Sequence, residues 1–337
     1  MRLTSDKISK NSNLMQGAGA GASQDPLNGA WATYNILLLL SAILAFWMIG
    51  PARFPDYENY VRAAADGYDS FFEYFPHLFF ELEDLASEPG ARVNYFIAFV
   101  HVLFIITFIS LTILAPRQGF FLAMYLSCYL PFFVTTGVRA AFAYILGGVA
   151  ASIAINAGRK GVAIFFAVAA CLFHDSAAFS VALLIGVSII PGRARSSIVR
   201  LTVLFIFSAL ACSLVWGGGV VFEEQRWLGR FSDYLLGSLN SYDKLFFIYA
   251  NIFLSLFAGI ILKTDSEALL LFCMGAVGVC LVTIINQVAG IRLLPFVMAP
   301  GLILISELAK RYFSGSAIVA MPLFFLFFLF NYWDLAY

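Results

Sequence analysis

The sequence predicts an all-α integral membrane protein with about eleven transmembrane helices. Hydrophobic residues make up 61% of the 337 positions and charged residues only 12%, about half the charged share of a typical soluble domain. Long apolar runs recur along the whole chain and are separated by short polar turns. Because such a composition cannot cover a water-exposed surface, we expect the bilayer to be the main solvent of this protein.

Each predicted span is a run of roughly 20 mostly apolar residues, the length a helix needs to cross the hydrocarbon with its backbone bonds satisfied internally. The third, fifth and sixth runs are short, so we expect tilted, re-entrant or broken helices there and a total that is lower by one or two if they do not cross. The runs cover residues 31–50, 93–115, 120–134, 138–155, 161–173, 177–191, 201–221, 245–262, 268–285, 293–309 and 317–332.

Orientation follows from basic residues in the short connections. Residues 1–30 lack an apolar signal-peptide core and predict a disordered cytoplasmic tail, followed by a membrane domain over 31–337 whose first span is an uncleaved anchor. The short turns that contain Arg117, Arg159, Lys160, Arg193 and Lys310 indicate the cytoplasmic side. This topology puts the two longer loops, about 51–92 and 222–244, on the outer side.

The loop over residues 51–92 is acidic and aromatic. Its aromatic side chains at roughly helical spacing predict an amphipathic helix at the outer interface. Such a helix either caps the bundle or guides a substrate, and the sequence leaves both interpretations open. The aromatic residues concerned are Phe71, Phe72, Tyr74, Phe75, Phe79 and Phe80.

Several classes of function are disfavoured by composition. The net charge is zero and no basic stripe occurs, so nucleic acid is not an expected partner. No P-loop motif is found, and the cytoplasmic turns are too short for a nucleotide-binding domain. The three histidines are dispersed, so we expect neither a metal site nor a cofactor. One of them, His101, lies deep in the second span and is interpreted as an interhelical hydrogen-bonding residue.

Ionisable residues at the ends of spans are the main functional candidates, since charge within the membrane is costly. Arg139 begins the fourth span, His174 and Asp175 end the fifth, and Arg292 begins the tenth. The predicted topology puts them all near the outer surface, where they can share one cavity. Arginine is suited to binding phosphate, although snorkelling to lipid headgroups is the alternative for each. For His174 the alternative is a helix-terminal histidine bonded to a backbone carbonyl.

Two carboxylates follow the first span almost at once. Asp56 and Glu58 are separated by one residue, so they are candidates to bind a divalent cation or to act as a general base towards a sugar hydroxyl. A helix N-cap with an acidic first turn is the alternative interpretation. The spacing alone does not decide between them.

Five short motifs together resemble the EpsG family of polysaccharide polymerases, which are relatives of the Wzy O-antigen polymerases. One departure is position 175, where family members often have His-Pro-Ser in place of His-Asp-Ser. The motifs are Asp56-Tyr57-Glu58-Asn59-Tyr60 after the first span, Glu88-Pro89-Gly90 before the second, Arg139 with the small residues after it, Phe173-His174-Asp175-Ser176-Ala177, and Arg292.

The resemblance implies a GT-C-like helical enzyme of the bacterial inner membrane that joins repeat units carried on undecaprenyl diphosphate at the periplasmic face. It implies that Arg139 and Arg292 bind the donor diphosphate without a metal, and that His174, Asp56 or Glu58 is the base. Tyr57, Tyr60, Asp175, Arg226 and Arg230 are candidate contacts to the acceptor or glycan. Besides the lipid-linked glycan and membrane lipids, a chain-length regulator is a candidate partner. A lipid-linked glycan flippase and an O-antigen ligase remain alternatives.

Overall fold

The chain folds into a helical bundle in a computed structural model. It describes residues 26–54, 56–66, 74–81, 86–135, 137–191, 194, 196–199, 201–202, 255, 257–261, 267–285, 287–312, 320–323, 325–326 and 329. Within these ranges the regular structure is helical and no β-strand occurs. The predicted all-α class is therefore confirmed for the described part of the chain.

The main helices follow the predicted spans closely. Two short helices, α2 and α3, lie between the first two long ones, and a π-helical segment, Tyr144–Ala150, interrupts α6. The first helix begins at Pro26, within the predicted tail, and α4 begins at Pro89, so that Arg92 belongs to the helix and not to the loop. The helices are α1 (Pro26–Ile49), α2 (Tyr57–Asp66), α3 (Tyr74–Glu81), α4 (Pro89–Leu114), α5 (Gly119–Thr135), α6 (Val138–Asn156), α7 (Lys160–Cys171), α8 (Ala177–Ile189), α9 (Glu267–Ile285) and α10 (Gln287–Tyr312).

The protein is a multi-pass membrane protein. Five described helices are long and apolar enough to cross a bilayer, namely α1, α4, α5, α6 and the part of α10 from Arg292 to Tyr312. Helices α7, α8 and α9 are apolar but shorter. Large apolar side chains on the long helices face outward, for example Met48 at 78% exposure and Leu114 at 81%, as expected for lipid-facing surfaces. Most of the predicted spans over 201–221, 245–262 and 317–332 lies outside the described residues.

Local sequence explains where these helices turn. Pro89 occupies the first turn of α4, where its missing N–H costs no hydrogen bond. Helix α6 ends at Asn156, and Gly158 follows with a φ of 73°, a conformation that suits glycine. The N–H groups of Gly158 and Arg159 bond the carbonyls of Ile155 and Ala154, which is the usual arrangement of a glycine-terminated helix. The connection from α6 to α7 is consequently very short.

Polar contacts join the helix ends opposite the candidate site. Lys160 pairs with Glu267 at 2.9 Å, Asn156 donates to Glu307 at 3.3 Å, and Lys310 donates to the carbonyl of Arg117. The start of α7, the end of α6 and the end of α10 therefore lie at one end of the bundle. This agrees with the predicted alternation of helix ends, while the side that faces the cytoplasm stays a prediction.

The loop after the first span forms α2 and α3, which we call the outer helices. Both pack against α4, and their buried residues Tyr60, Ala64, Pro76 and Phe80 face the bundle. An aromatic core continues from them into the bundle. The loop thus caps the bundle with two short helices, whereas the sequence predicted one amphipathic helix; Phe71 and Phe72 lie outside the described residues.

Candidate functional site

Asp56 lies in the field of both candidate arginines. It immediately precedes α2 and is partly buried at the end of the bundle where α2 and α3 pack. Burial raises the pKa of Asp56 above the usual carboxyl value, while a hydrogen bond from Asn59 and the charges of Arg139 and Arg292 act in the opposite direction. Arg139 on α6 and Arg292 on α10 are therefore brought together around one carboxyl group, although 153 sequence positions separate them.

Arg139 is held against an aromatic ring of the outer helices. Its guanidinium carbon lies 5.7 Å from the centre of the Tyr60 ring, within the range of a cation–π contact. The backbone N–H of Arg139 also faces the Tyr60 hydroxyl at 3.4 Å, which is long for a hydrogen bond. Tyr60 is only 6% exposed, and its role as a glycan contact stays a prediction.

His174 and Asp175 form the turn between α7 and α8. His174 is buried, and its Nδ1 lies 3.1 Å from the Asp175 carboxylate, 2.7 Å from the Ser176 hydroxyl and 3.2 Å from the Ser176 backbone N–H. The Ser176 N–H can donate to an unprotonated Nδ1, and the Asp175 carboxylate can accept from a protonated one. Nδ1 therefore has both a donor and an acceptor within reach, and these contacts alone do not fix the tautomer of His174.

Asp175 connects this turn to Arg139. Its pKa is lowered by the hydrogen bond from His174, and the charges of His174 and Arg139 act in the same direction against partial burial. The side chain is 58% exposed, so the carboxylate remains ionised and in contact with water. Asp56, Arg139, Arg292, His174 and Asp175 therefore belong to one electrostatic cluster, which we call the polar cluster.

Tyr144 links Arg292 to the histidine turn. Its hydroxyl donates to the Arg292 backbone carbonyl at 2.9 Å and is bonded to Ser176. Pro295 lies three residues further along α10 and has no N–H to donate within the helix. The Arg292 residue itself is exposed and its guanidinium is therefore open to a ligand.

A glycine pair in the π-helical segment lets α10 approach α6 closely. A Cβ on Gly147 would lie 2.9 Å from the ring of Phe296, and a Cβ on Gly148 would lie 3.4 Å from the Pro295 carbonyl oxygen. The Phe296 ring packs in turn against Tyr144, with 4.8 Å between ring centres. Local π-helical geometry often occurs at functional sites, and here it determines the distance between the helices that carry Arg139 and Arg292.

The remaining candidate residues have other contacts or lie outside the described residues. Glu58 is exposed and lines an open depression with Ala52, Val61 and Arg62. The Tyr57 hydroxyl donates to the Gly90 carbonyl at 3.2 Å and so joins α2 to α4. Their roles as base and glycan contact stay predictions. Arg226 and Arg230, with the loop over 222–244, lie outside the described residues.

Two residues of this region were not singled out from the sequence for any role. Tyr144 lies in an apolar run. The one feature of the sequence that could have identified it is that the hydroxyl of a buried tyrosine needs a hydrogen-bond partner. Arg92 was interpreted as an outer-loop charge, yet it is 5% exposed and bonded to two backbone carbonyls. The predicted start of this span was four residues too late, so Arg92 was assigned to the loop and its role was not recognised.

No family model matches this sequence, and searches of curated proteins and of solved structures return no match. The chemistry of the polar cluster must therefore be argued from the cluster itself. Two permanently charged guanidinium groups can bind an anion such as a phosphate. Asp56, whose pKa is raised by burial, and the imidazole of His174 are side chains of the kinds that act as general bases beside such an anion.

Proposed function

We propose that the protein polymerises oligosaccharide repeat units carried on undecaprenyl diphosphate, at the periplasmic face of the bacterial inner membrane, with a GT-C-like arrangement of helices. The observation that carries the proposal is the position of Asp56 in the field of both Arg139 and Arg292. A carboxyl group and two arginines in one place suit a reaction in which a phosphate leaves while a hydroxyl loses a proton. The motif order that resembles EpsG-family polymerases supports the same reaction.

In the proposed reaction the acceptor hydroxyl oxygen forms a bond to the anomeric carbon of the donor glycan. The bond from that carbon to the diphosphate oxygen breaks, and both electrons leave with the lipid diphosphate. Arg139 and Arg292 stabilise the charge that develops on this leaving group, because fixed cations cost no reorganisation during reaction. Asp56 or His174 accepts the hydroxyl proton.

The charge balance of the polar cluster supports an anionic substrate. In the free protein Asp56 and Asp175 partly neutralise the two arginines. A diphosphate brings more negative charge than one carboxylate and forms bidentate contacts with guanidinium groups, so it competes well for them. The exposure of Arg292 gives such a ligand access from outside the bundle.

The test is reconstitution of the full chain in vesicles that contain a lipid-linked repeat unit. We expect glycan ladders together with release of free lipid diphosphate. Arg139→Ala should reduce ladder formation by about 100- to 1000-fold, the usual loss for one positioned charge donor. Arg53→Ala is the matched control, since Arg53 is an exposed arginine of the outer loop, whereas the cations that act on the Asp56 carboxyl group are Arg139 and Arg292.

Other outcomes would assign a different function. Glycan that crosses the membrane without ladders or free lipid diphosphate indicates a flippase. A single transfer to a different acceptor, with release of lipid diphosphate but no ladder, indicates a ligase. If Arg139→Ala and Arg53→Ala make ladders of equal length and yield, Arg139 is not a donor-binding residue and the proposal fails.

A further inference from the structure

Arg92 is a buried arginine in the first turns of α4. Its side chain is confined, since the residue is 5% exposed. One terminal nitrogen donates to the Phe80 carbonyl at 2.6 Å and the other donates to the Ala64 carbonyl at 2.9 Å. A single guanidinium therefore bonds α3 through one nitrogen and α2 through the other.

Both acceptors lie in the last turn of their helices. The last four carbonyls of an α-helix have no donor within that helix, and the negative end of the helix dipole favours a cation there. Ala64 belongs to the last turn of α2 and Phe80 to the last turn of α3. The planar fork of arginine can serve two acceptors in fixed directions, whereas a lysine ammonium is a flexible point charge. Burial of the charge is thus compensated in part by two charge-assisted hydrogen bonds, while the buried Nε has no hydrogen-bond partner among the described residues.

The two helices that Arg92 bonds are the ones that contact the polar cluster. Helix α2 follows Asp56 and carries Tyr60, on which the Arg139 guanidinium rests. Helix α3 begins beside the histidine turn: the Phe75 N–H donates to the Leu172 carbonyl at 3.0 Å. The Phe75 ring stacks on Phe173, with 4.6 Å between ring centres.

We propose that Arg92 is a positioning residue that fixes both outer helices on α4 and thereby keeps Asp56 and the histidine turn in place around the two cluster arginines. The guanidinium of Arg92 bonds two backbone carbonyls of the outer helices, so Arg92 acts on the polar cluster through these helices. The structural part of this inference stands without the proposed function. Its effect on ligand binding rests on that function.

Hydrogen exchange of the full chain in lipid nanodiscs tests the structural part. Arg92→Met keeps the length of the aliphatic stem and removes both bonds, so the amides of α2 and α3 should exchange about tenfold to a hundredfold faster. The amides of α5 and α6 should keep their wild-type rates. Arg92→Lys should give an intermediate rate, since an ammonium group can still reach one carbonyl. Arg62→Met, at an exposed position of α2, is the control and should leave exchange unchanged.

Binding of inorganic diphosphate tests the functional part in the same samples. We expect Arg92→Met to weaken it by about tenfold, Arg92→Lys to restore part of the affinity, and Arg62→Met to match the wild type. Unchanged exchange in Arg92→Met, faster exchange in only one outer helix, or faster exchange throughout the bundle would overturn the proposal. If Arg92→Met does not fold, Arg92→Lys becomes the deciding variant. Amide exchange in its outer helices at the same rate as in the wild type would then overturn the proposal. Absence of diphosphate binding by the wild type, with the exchange result as expected, would count against the proposed function alone.

Discussion

Close packing between α6 and α10 can be tested at two adjacent glycines. In Gly147→Ala the new methyl would lie 2.9 Å and 3.3 Å from two ring carbons of Phe296, which is itself 3% exposed. In Gly148→Ala the nearest atoms lie at 3.4 Å and 3.5 Å, which is ordinary contact. The two variants thus add the same methyl group at neighbouring positions, but only the methyl of Gly147→Ala is too close to its neighbours.

The expected magnitude follows from the difference between the two variants. Both replace glycine by alanine inside a helix, so the gain in helix propensity, up to about 1 kcal/mol, applies to each and cancels in the comparison. Overpacking of a buried core typically costs about 1 to 3 kcal/mol. We therefore expect Gly147→Ala to be less stable than Gly148→Ala by about 1 to 3 kcal/mol. Since Phe296 packs on Tyr144, Gly147→Ala should also displace Arg292 and reduce activity.

Denaturation of the two variants in matched detergent micelles measures this difference, and the vesicle assay measures ladder formation. Gly148→Ala should remain close to the wild type in both. Equal stability of the two variants would show that α10 does not approach the π-helical segment as closely as described. Lower stability of Gly147→Ala with full activity would show that the position of Arg292 does not depend on Phe296.

Three further predictions concern the polar cluster. Tyr60→Leu removes the ring under Arg139 and should weaken diphosphate binding by about 2- to 30-fold, whereas Tyr60→Phe keeps the ring and should bind like the wild type, as titration calorimetry can show. Burial raises the pKa of Asp56, so wild-type stability should fall as pH rises from the ordinary carboxyl pKa through the raised pKa of the folded protein. Melting curves of Asp56→Asn from pH 4 to 7 should lack this fall, and a wild-type pH dependence in that variant would contradict the assignment. His174→Ala should slow polymerisation by about 100-fold or more in a purified assay, and full activity would exclude it as the base.

The sequence was a good guide to the helices, because apolar runs report directly on the membrane. Span boundaries were less accurate where polar residues continue a helix beyond the hydrocarbon. Arg92 is the clearest case: it is the fourth residue of α4, yet its charge indicated a loop. The prediction of His101 as an interhelical residue agrees with the structure, where Trp47 donates to His101 Nδ1 at 3.1 Å.

The site was predictable only in part. Arg139, His174 and Arg292 stood out because ionisable residues at span ends are rare and costly, and the topology put them at one end of the bundle. The contacts of Tyr60 with Arg139 and of Tyr144 with Arg292 were not predicted, since both form only through packing between helices distant in sequence. The order of helices in space, and hence which ring lies under which cation, is not encoded in any local pattern.

The polar contacts at the end of the bundle opposite the polar cluster have a consequence for transport. Lys160 with Glu267, and Asn156 with Glu307, connect α6, α7, α9 and α10 across that end. A carrier that works by alternating access must break these interhelical contacts in every cycle to open a path to the other side of the membrane. A reaction completed on one face needs no such rearrangement, so an inter-helix crosslink between positions 160 and 267 should stop a carrier and spare an enzyme.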